Sequence, residues 1–503
     1  MSNVKQMTVE GRKGIEVDKA YIERMYALPD KEEISGFECR FAIHIPPPKE
    51  LVEERGSEVS DYTLVKEMVH CKDGRVIPHV RILKDFKRPF YVTKVRYRDH
   101  EQKREKESLE KLDKWESTEW ALKKNVAIAL GERNYKGDPR KLMSSPYLYG
   151  TDLSSTAYLK EQYRKRWPGL TTYFNVAVYD IETDMVEGSG RIIMATLSYK
   201  DKLITCVLKD YVRGFINVEE AIRSKANSYL KEHIEKRKIN LDVRVCDTPG
   251  EIVATVFGRA HEWRPDWVAV WNIGFDLPRS IEALKKDGIR PEDVFSDPLV
   301  PREYRRFWFK EGPKIRTTNL GVTKNLAPYE QWHWVHTPAS FLFIDSMCVY
   351  YLNRIAEQNE PSYKLDYLLN KHLGLRKLKF EEANHLPDGS PAWHRFMQSQ
   401  YKLEYVVYNM FDCIGVEEFD EKVLDLCLTT PMAAGCMDFS RFNSQPQRLL
   451  AEVYWFLHQR GYIVGNGQGV EQEYDKLTIS LRGWICTMPS HLIKEKGLRC
   501  LKL

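Results

Sequence analysis

Residues Tyr173 to Thr183, YFNVAVYDIET, constrain this chain more than any other stretch. The run opens with β-forming apolar residues (Phe174, Val176, Val178) and ends on two acids, Asp180 and Glu182. Alternation along a strand puts residues two apart on one face. The two carboxylates therefore point the same way, at the end of a strand that reads as buried. Like charges held that close cost free energy unless something positive sits between them. A divalent cation with oxygen ligands, Mg²⁺ or Mn²⁺, meets that need. The same stretch also suits a strand running into a solvated acidic turn, with Asp184 and Gly188-Ser189-Gly190 just beyond.

At 503 residues the chain exceeds one ordinary domain, and its 43% hydrophobic and 12% aromatic content is enough for sizeable cores. No apolar run approaches the ~18 residues of a membrane span. The polar start MSNVKQMTVEGRKG has no secretory h-region. Ten cysteines are scattered without a C-x-x-C pair. That predicts free thiols in a reducing compartment, the cytoplasm, and no zinc site. A net charge of +5 permits nucleic-acid binding without demanding it.

The first 165 residues are charge-rich and hold no catalytic cluster. Val76 to Val95 reads as two strands around a turn at Lys87-Arg88-Pro89, and Asp99 to Leu122 as an exposed helix laced with ion pairs. Pro146 to Tyr158 reads as a short strand and loop, followed by a boundary at the basic EQYRKRWPG. Beyond the acidic strand, Arg191 to Lys200 and Leu203 to Asp210 continue an antiparallel meander, and Val218 to Lys238 is helical. Thr248-Pro249-Gly250-Glu251 starts a helix, with a capping box and proline at the first position, expected to run to about Trp263.

Asp266 to Pro278, DWVAVWNIGFDLP, reads as a strand covered on both faces that breaks at Asn272-Ile273-Gly274. Phe275 and Asp276 then stand just ahead of a helix from Pro278 to Lys286, where an acid also suits an N-cap. Tyr304 to His336 interleaves bases with aromatics, which suits unpaired bases on a phosphate backbone and also a β-hairpin with an aromatic core face. FLFIDSMCVYYL is a buried strand ending in Asp345, and YKLDYLLNKHL is a helix that stops at Gly374. Residues 392 to about 430 are helical. There Tyr408 and Asp412 lie four apart on one face, a spacing that also suits a surface hydrogen bond. Phe442 to Arg460 includes a helix, and Leu481 to Leu503 is β-rich.

Taken in order, a strand with D-x-E, a strand-to-helix junction with N-x-x-F-D and a late helix with Y-x-x-x-D resemble the three exonuclease motifs of the DEDDy group. Val407 stands where the sibling DEDDh group has histidine, and Asn272 is one residue nearer its aspartate than in many relatives. VYDIET, WNIGFDLP, FIDSMCVYYL, SYKLDYLL and YNMFDCIGVEEF look like the proofreading domain of family B DNA polymerases. LRGWICTMPSHLIKEKGLRCLKL is similar to the segment that leads into that family's first polymerase motif. None of D-x-x-S-L-Y-P, K-x-x-x-N-S-x-Y-G or D-T-D-S occurs in the chain.

The resemblance implies an α/β fold: an RNase H-like exonuclease domain, a mixed sheet flanked by helices, with a mixed α+β N-terminal domain. It places the N-terminal domain at 1–165, the exonuclease domain at 166–430, a return to the N-terminal domain at 431–480 and the start of the palm at 481–503. It implies 3′→5′ hydrolysis of mismatched DNA 3′ ends with two divalent cations, Mg²⁺ or Mn²⁺. Asp180 would lie between both ions, Glu182 and Asp412 on the nucleophile side, and Asp276 on the second ion through water. Tyr408 would orient the attacking water, and Asn272 and Phe275 would hold the terminal nucleotides. The implied partners are DNA, as a single-stranded 3′ end or primer-template, and a second polypeptide carrying palm, fingers and thumb. Split polymerases of that kind occur in large bacteriophages, which would place the chain inside a host cell; no membrane is involved. A free-standing DEDDy nuclease and a non-catalytic DNA-binding assembly subunit are the alternatives.

Overall fold

The computed structural model describes residues 25–98, 109–132, 135–151, 153–317, 321–435, 438–439 and 442–465, with backbone pairing alone for 4–9, 12–17, 494–495 and 498–499. The chain divides into two compact units, Met1–Phe86 with Ser155–Val453, and Lys87–Ser154 with Tyr454–Leu503. In the first unit, β1 (Ile34–Ile45), β2 (Tyr62–Cys71) and β3 (Val76–Lys84) form an antiparallel sheet in sequence order.

The second unit holds β4 (Lys87–Thr93), β5 (Leu112–Thr118) and β6 (Leu148–Tyr149), with β4 in the middle. Two expectations are corrected here. Lys87-Arg88-Pro89 is strand, and the turn falls at Asp85, whose φ is 51°. Only Tyr91 and Val92 of β4 are paired on both sides, so Pro89 occupies an open stretch of the ladder where its missing N–H is tolerated. Leu112–Thr118 is strand instead of exposed helix: Trp115 stands opposite Phe90, with ring centroids 6.3 Å apart. Intermixed charge marks an exposed face without saying which backbone carries it. Residues 99–108 lie outside the described residues.

Returning to the first unit, α1 (Ser155–Arg166) takes in most of the basic segment EQYRKRWPG and buries Tyr163. The main sheet follows. Its strands are β7 (Val176–Thr183), β8 (Ile192–Tyr199), β9 (Lys202–Leu208), β10 (Asn240–Cys246), β11 (Trp267–Val270) and β12 (Leu342–Asp345). They lie in the order β10-β9-β8-β7-β11-β12. The meander β7-β8-β9 is antiparallel, whereas β10, β11 and β12 join parallel to their neighbours. The fold is therefore α/β, a mixed six-stranded sheet flanked by helices.

Helix α2 (Pro249–Trp263) begins and ends where the sequence places it, with the Thr248 hydroxyl accepting the Glu251 N–H at 3.2 Å. The region from Val218 is split into Val218–Tyr229 and Lys231–Arg237. Helix α3 (Ile273–Lys286) begins five residues earlier than expected and takes Phe275 and Asp276 into its first turns. The reason is Asp345 at the end of β12. One of its oxygens accepts the Ile273 N–H at 3.0 Å, while the other accepts the Cys348 N–H at 2.9 Å and caps α4 (Ser346–Asn353). Helix α5 (Leu365–Leu373) stops at Gly374, whose φ of 68° suits a residue without Cβ. Helices α6 (Pro391–Gln400) and α7 (Lys402–Val423) follow, and α7 is buried on every side over most of its length.

The stretch of bases and aromatics forms two short antiparallel pairs, Trp308–Lys310 with Trp334–His336 and Ile315–Thr317 with Thr323–Asn325. A helix at Gln445–Gln459 lies within the expected Phe442 to Arg460. Most of Leu481 to Leu503 lies outside the described residues. No helix among the described residues is long and apolar enough to cross a membrane.

The sheet has one structural face and one chemical face, and β7 shows the division. Tyr179 packs on Phe257 of α2 and bonds Ser280 of α3 at 2.9 Å, whereas its neighbour Asp180 turns toward α7. Phe257 is fully buried, with its ring 5.0 Å from Tyr179 and 4.7 Å from Phe295. Phe257→Ala is expected to destabilise the protein by about 3–5 kcal/mol, read as a lower denaturant midpoint. A loss below about 1 kcal/mol would contradict this packing.

Candidate metal centre

The site forms where the end of β7 meets the middle of α7. One carboxylate oxygen from each of Asp180, Glu182 and Asp412 lies within 4.8 Å of the others, a spacing that suits a shared metal ion. Asp180 stands opposite Thr196 of β8, and Glu182 opposite Met194. Asp276, only 3% exposed, is outside that mutual set and reaches the site from the first turns of α3. There it is held by the backbone of Ile181, the residue between the two strand acids.

All four acids hold their protons more tightly than free carboxyls do. For Asp180 the causes are burial first, then the charges of Asp276, Asp412 and Glu182. Burial pushes Glu182 up to about 7 against the opposing hydroxyl of Tyr405. Burial also raises Asp276, with the Ile181 amide opposing. Asp412 is raised by burial in spite of Lys377, whose Nζ lies 2.5 Å from Oδ2. Burial alone would drive Lys377 toward its neutral form, but Asp412 and Tyr408 outweigh it and raise its pKa well above the usual lysine value.

Lys377 is the one cation paired with any of the four carboxylates among the described residues, while the Arg279 charge acts on Asp276 without pairing. Other buried acids in this chain have dedicated cations: Glu417 pairs with Arg237, Asp293 with Arg290 at 2.9 Å and Asp425 with Arg354 at 2.7 Å. Among the described residues, Asp180, Glu182 and Asp276 have no such ion pair. Asp412 Oδ1 is buried and accepts no hydrogen bond. An orphaned buried oxygen in a cluster short of positive charge fits a hard divalent cation bound through oxygen.

Tyr408, four residues before Asp412, is buried and accepts a hydrogen bond from Lys377 Nζ at 3.0 Å. Burial, then the Asp412 charge, raises its phenol, so it stays protonated at neutral pH. Tyr405 donates to Glu182 Oε2 at 2.5 Å, and Asn409 Nδ2 donates to Asp180 Oδ2 at 2.6 Å. Phe275 leaves 38% of its surface exposed, with the Arg279 guanidinium 3.6 Å over its ring. Asn272 occupies the N-cap position of α3, yet its side chain caps nothing. Two other acids have structural roles: Asp345 anchors two helices, and Asp184 accepts the Val186 and Glu187 N–H groups and the Ser189 hydroxyl.

The structure thus brings together Asp180, Glu182, Asp412 and Tyr408, with Asp276 adjoining through Ile181. It adds Lys377, Tyr405 and Asn409, which the sequence reading did not select. Tyr405, Asn409 and Asp412 recur at i, i+4 and i+7, a polar stripe through the apolar stretch Tyr405 to Val416, and that signal is visible in the sequence. Lys377 sits in the coil between α5 and α6, with no local pattern to mark it. No family model matches the chain, and no curated protein matches it significantly.

An acid whose pKa is higher folded than unfolded stabilises the fold at low pH, and that contribution is lost as pH rises through the folded value. For Glu182 the loss spans pH 4.5 to about 7, and the other three acids shift in the same direction. In EDTA the melting temperature should therefore fall across this interval, and fall less in an Asp180→Asn/Glu182→Gln variant. The stabilisation given by Mn²⁺ should grow over the same interval as the cation displaces protons. Wild type and variant following one pH profile would contradict the electrostatic account.

Proposed function

We propose that this chain is the N-terminal and proofreading half of a family B DNA polymerase, hydrolysing mismatched DNA 3′ ends with divalent cations. The observation that carries the reading is the convergence of Asp180, Glu182 and Asp412 on one locus, with a single lysine as counter-charge. The mixed sheet with its acidic central strand β7 supports an RNase H-like exonuclease fold. The order of motifs along the chain supports the family.

Asp180, Glu182 and Asp412 would hold the cations, Mg²⁺ or Mn²⁺, two in the family this chain resembles, with Asp276 beside them. Bound there, such ions supply a water nucleophile at neutral pH and neutralise charge on the leaving oxygen. The chain's own groups do the positioning. Tyr408, held by Lys377 and by its hydrogen bond to Asp412, would orient the attacking water. Lys377 keeps a positive charge against Asp412 where the scissile phosphate would add negative charge. Phe275 offers an exposed aromatic face for the terminal base, and the uncommitted amide of Asn272 stands three residues before it. The product would be a nucleoside monophosphate.

The reading is tested with single-stranded DNA. Digestion from the 3′ end should stop in EDTA and return with Mg²⁺ or Mn²⁺. The Asp180→Ala/Glu182→Ala variant should lose at least about a thousandfold in rate, roughly 4 kcal/mol in the barrier. Tyr408→Phe, which removes positioning and no ligand, should lose about ten- to a hundredfold. Digestion that survives chelation, or a folded double variant with full activity, would overturn the assignment.

The same reading includes a second polypeptide carrying palm, fingers and thumb. It predicts that such a chain co-purifies with this one and that primer extension needs both. Primer extension by this chain alone would refute that pairing.

A further inference from the structure

We propose that Tyr405 and Asn409 are positioning residues that set how the two strand acids meet a cation: each pins one carboxylate oxygen and leaves the other free for metal. The proposal rests on the metal-dependent reading above.

The argument begins with matched spacing. Asp180 and Glu182 are two residues apart on a strand, about 6.8 Å at the usual rise. Tyr405 and Asn409 are four apart on a helix, about 6 Å. Laid across each other, β7 and α7 therefore pair Tyr405 with Glu182 and Asn409 with Asp180, at 2.5 and 2.6 Å. Asp412, one turn further along α7, is the point where the helix contributes an acid of its own.

Each rung is locked from behind. Asn409 Oδ1 can only accept, so the Thr196 hydroxyl, 2.5 Å away, must donate to it. Thr196 must then accept from Thr205, at 2.9 Å. That chain fixes the amide and aims Nδ2 at Asp180. Tyr405 gives its proton to Glu182, and its oxygen also lies 2.7 Å from His394 Nδ1, which holds the phenol from the other side. The parallel ring of Tyr408, 5.7 Å away at 9°, packs against the phenol.

The pinned oxygens are Asp180 Oδ2, Glu182 Oε2 and, through Lys377, Asp412 Oδ2. Among the described residues no donor reaches the other oxygen of any of the three. Each of the three acids thus keeps one oxygen without a protein donor, and one oxygen from each lies within 4.8 Å of the others. Donors that hold ligand carboxylates typically matter about 10–100-fold in metal affinity or activity.

The test uses the full chain and Mn²⁺ alone, titrated calorimetrically at one pH into wild type, Tyr405→Phe, Asn409→Leu and Asp180→Ala/Glu182→Ala. Each single variant is expected to bind Mn²⁺ about tenfold more weakly, to show a smaller Mn²⁺-induced rise in melting temperature, and to lose kcat with KM for DNA unchanged. The two rungs are tested separately, so a folding failure in one leaves the other decisive. Unchanged Mn²⁺ affinity in a folded single variant, with only the melting temperature in EDTA lowered, would reduce that rung to packing and overturn the proposal. Wild type and the double alanine variant binding Mn²⁺ equally would instead sink the metal reading itself, and the proposal with it.

Discussion

A deficit of positive charge at the end of β7 is the constraint on which the rest of the site depends. Four carboxylates are drawn out of water with one paired ammonium and, at Asp276, the unpaired charge of Arg279. In a region of low dielectric the imbalance has two remedies, protons or cations. The groups next to the two strand acids leave both remedies open. The neighbours of Asp180 and Glu182 are neutral hydrogen-bond donors, which hold a carboxylate in place without neutralising it. Arginine, used freely elsewhere in the unit, forms no ion pair with these acids.

Such an arrangement is destabilising by itself, so the rest of the unit has to carry it. The opposite face of the sheet does so with apolar packing. Phe257, Phe295, Phe341 and Phe343 form a continuous aromatic cluster under β7, β11 and β12. The alternation of a single strand separates the two tasks: Tyr179 and Ile181 face the packing, and Asp180 and Glu182 face the chemistry. Strain imposed on one side is met by cohesion less than a side chain away.

The parts of this design that were legible in the sequence are those written locally. Strand alternation puts Asp180 and Glu182 on one face within three residues, and the Thr248 cap sets the start of α2, though the Glu251 carboxylate accepts from the Asp247 N–H and does not close the expected box. What could not be read depends on distant partners. The start of α3 is set by Asp345, 72 positions from the amide it accepts, so the local proline at 278 pointed to a later start. Lys377 reaches Asp412 across 35 positions from an unstructured coil. Tyr405 and Asn409 had a visible period, but a helix buried on all sides offers several stripes of equal standing. The misread helix before Leu122 shows the converse: Leu112–Thr118 became strand because Phe90 and its neighbours supplied a partner that charge patterning could not announce.

Asp345 has a mechanical consequence. Because one carboxylate clasps the first turns of both α3 and α4, the two helices share a rivet where adjoining helices would ordinarily have a hinge. Any displacement of α4 is then delivered to Phe275 and Asp276 without slack. α4 in turn packs on α7, where the ring of Tyr350 lies 5.4 Å from that of Phe419. The rivet therefore ties the ring that would grip a nucleotide to Asp276, the acid beside the metal cluster, and through α4 to the helix that supplies Asp412.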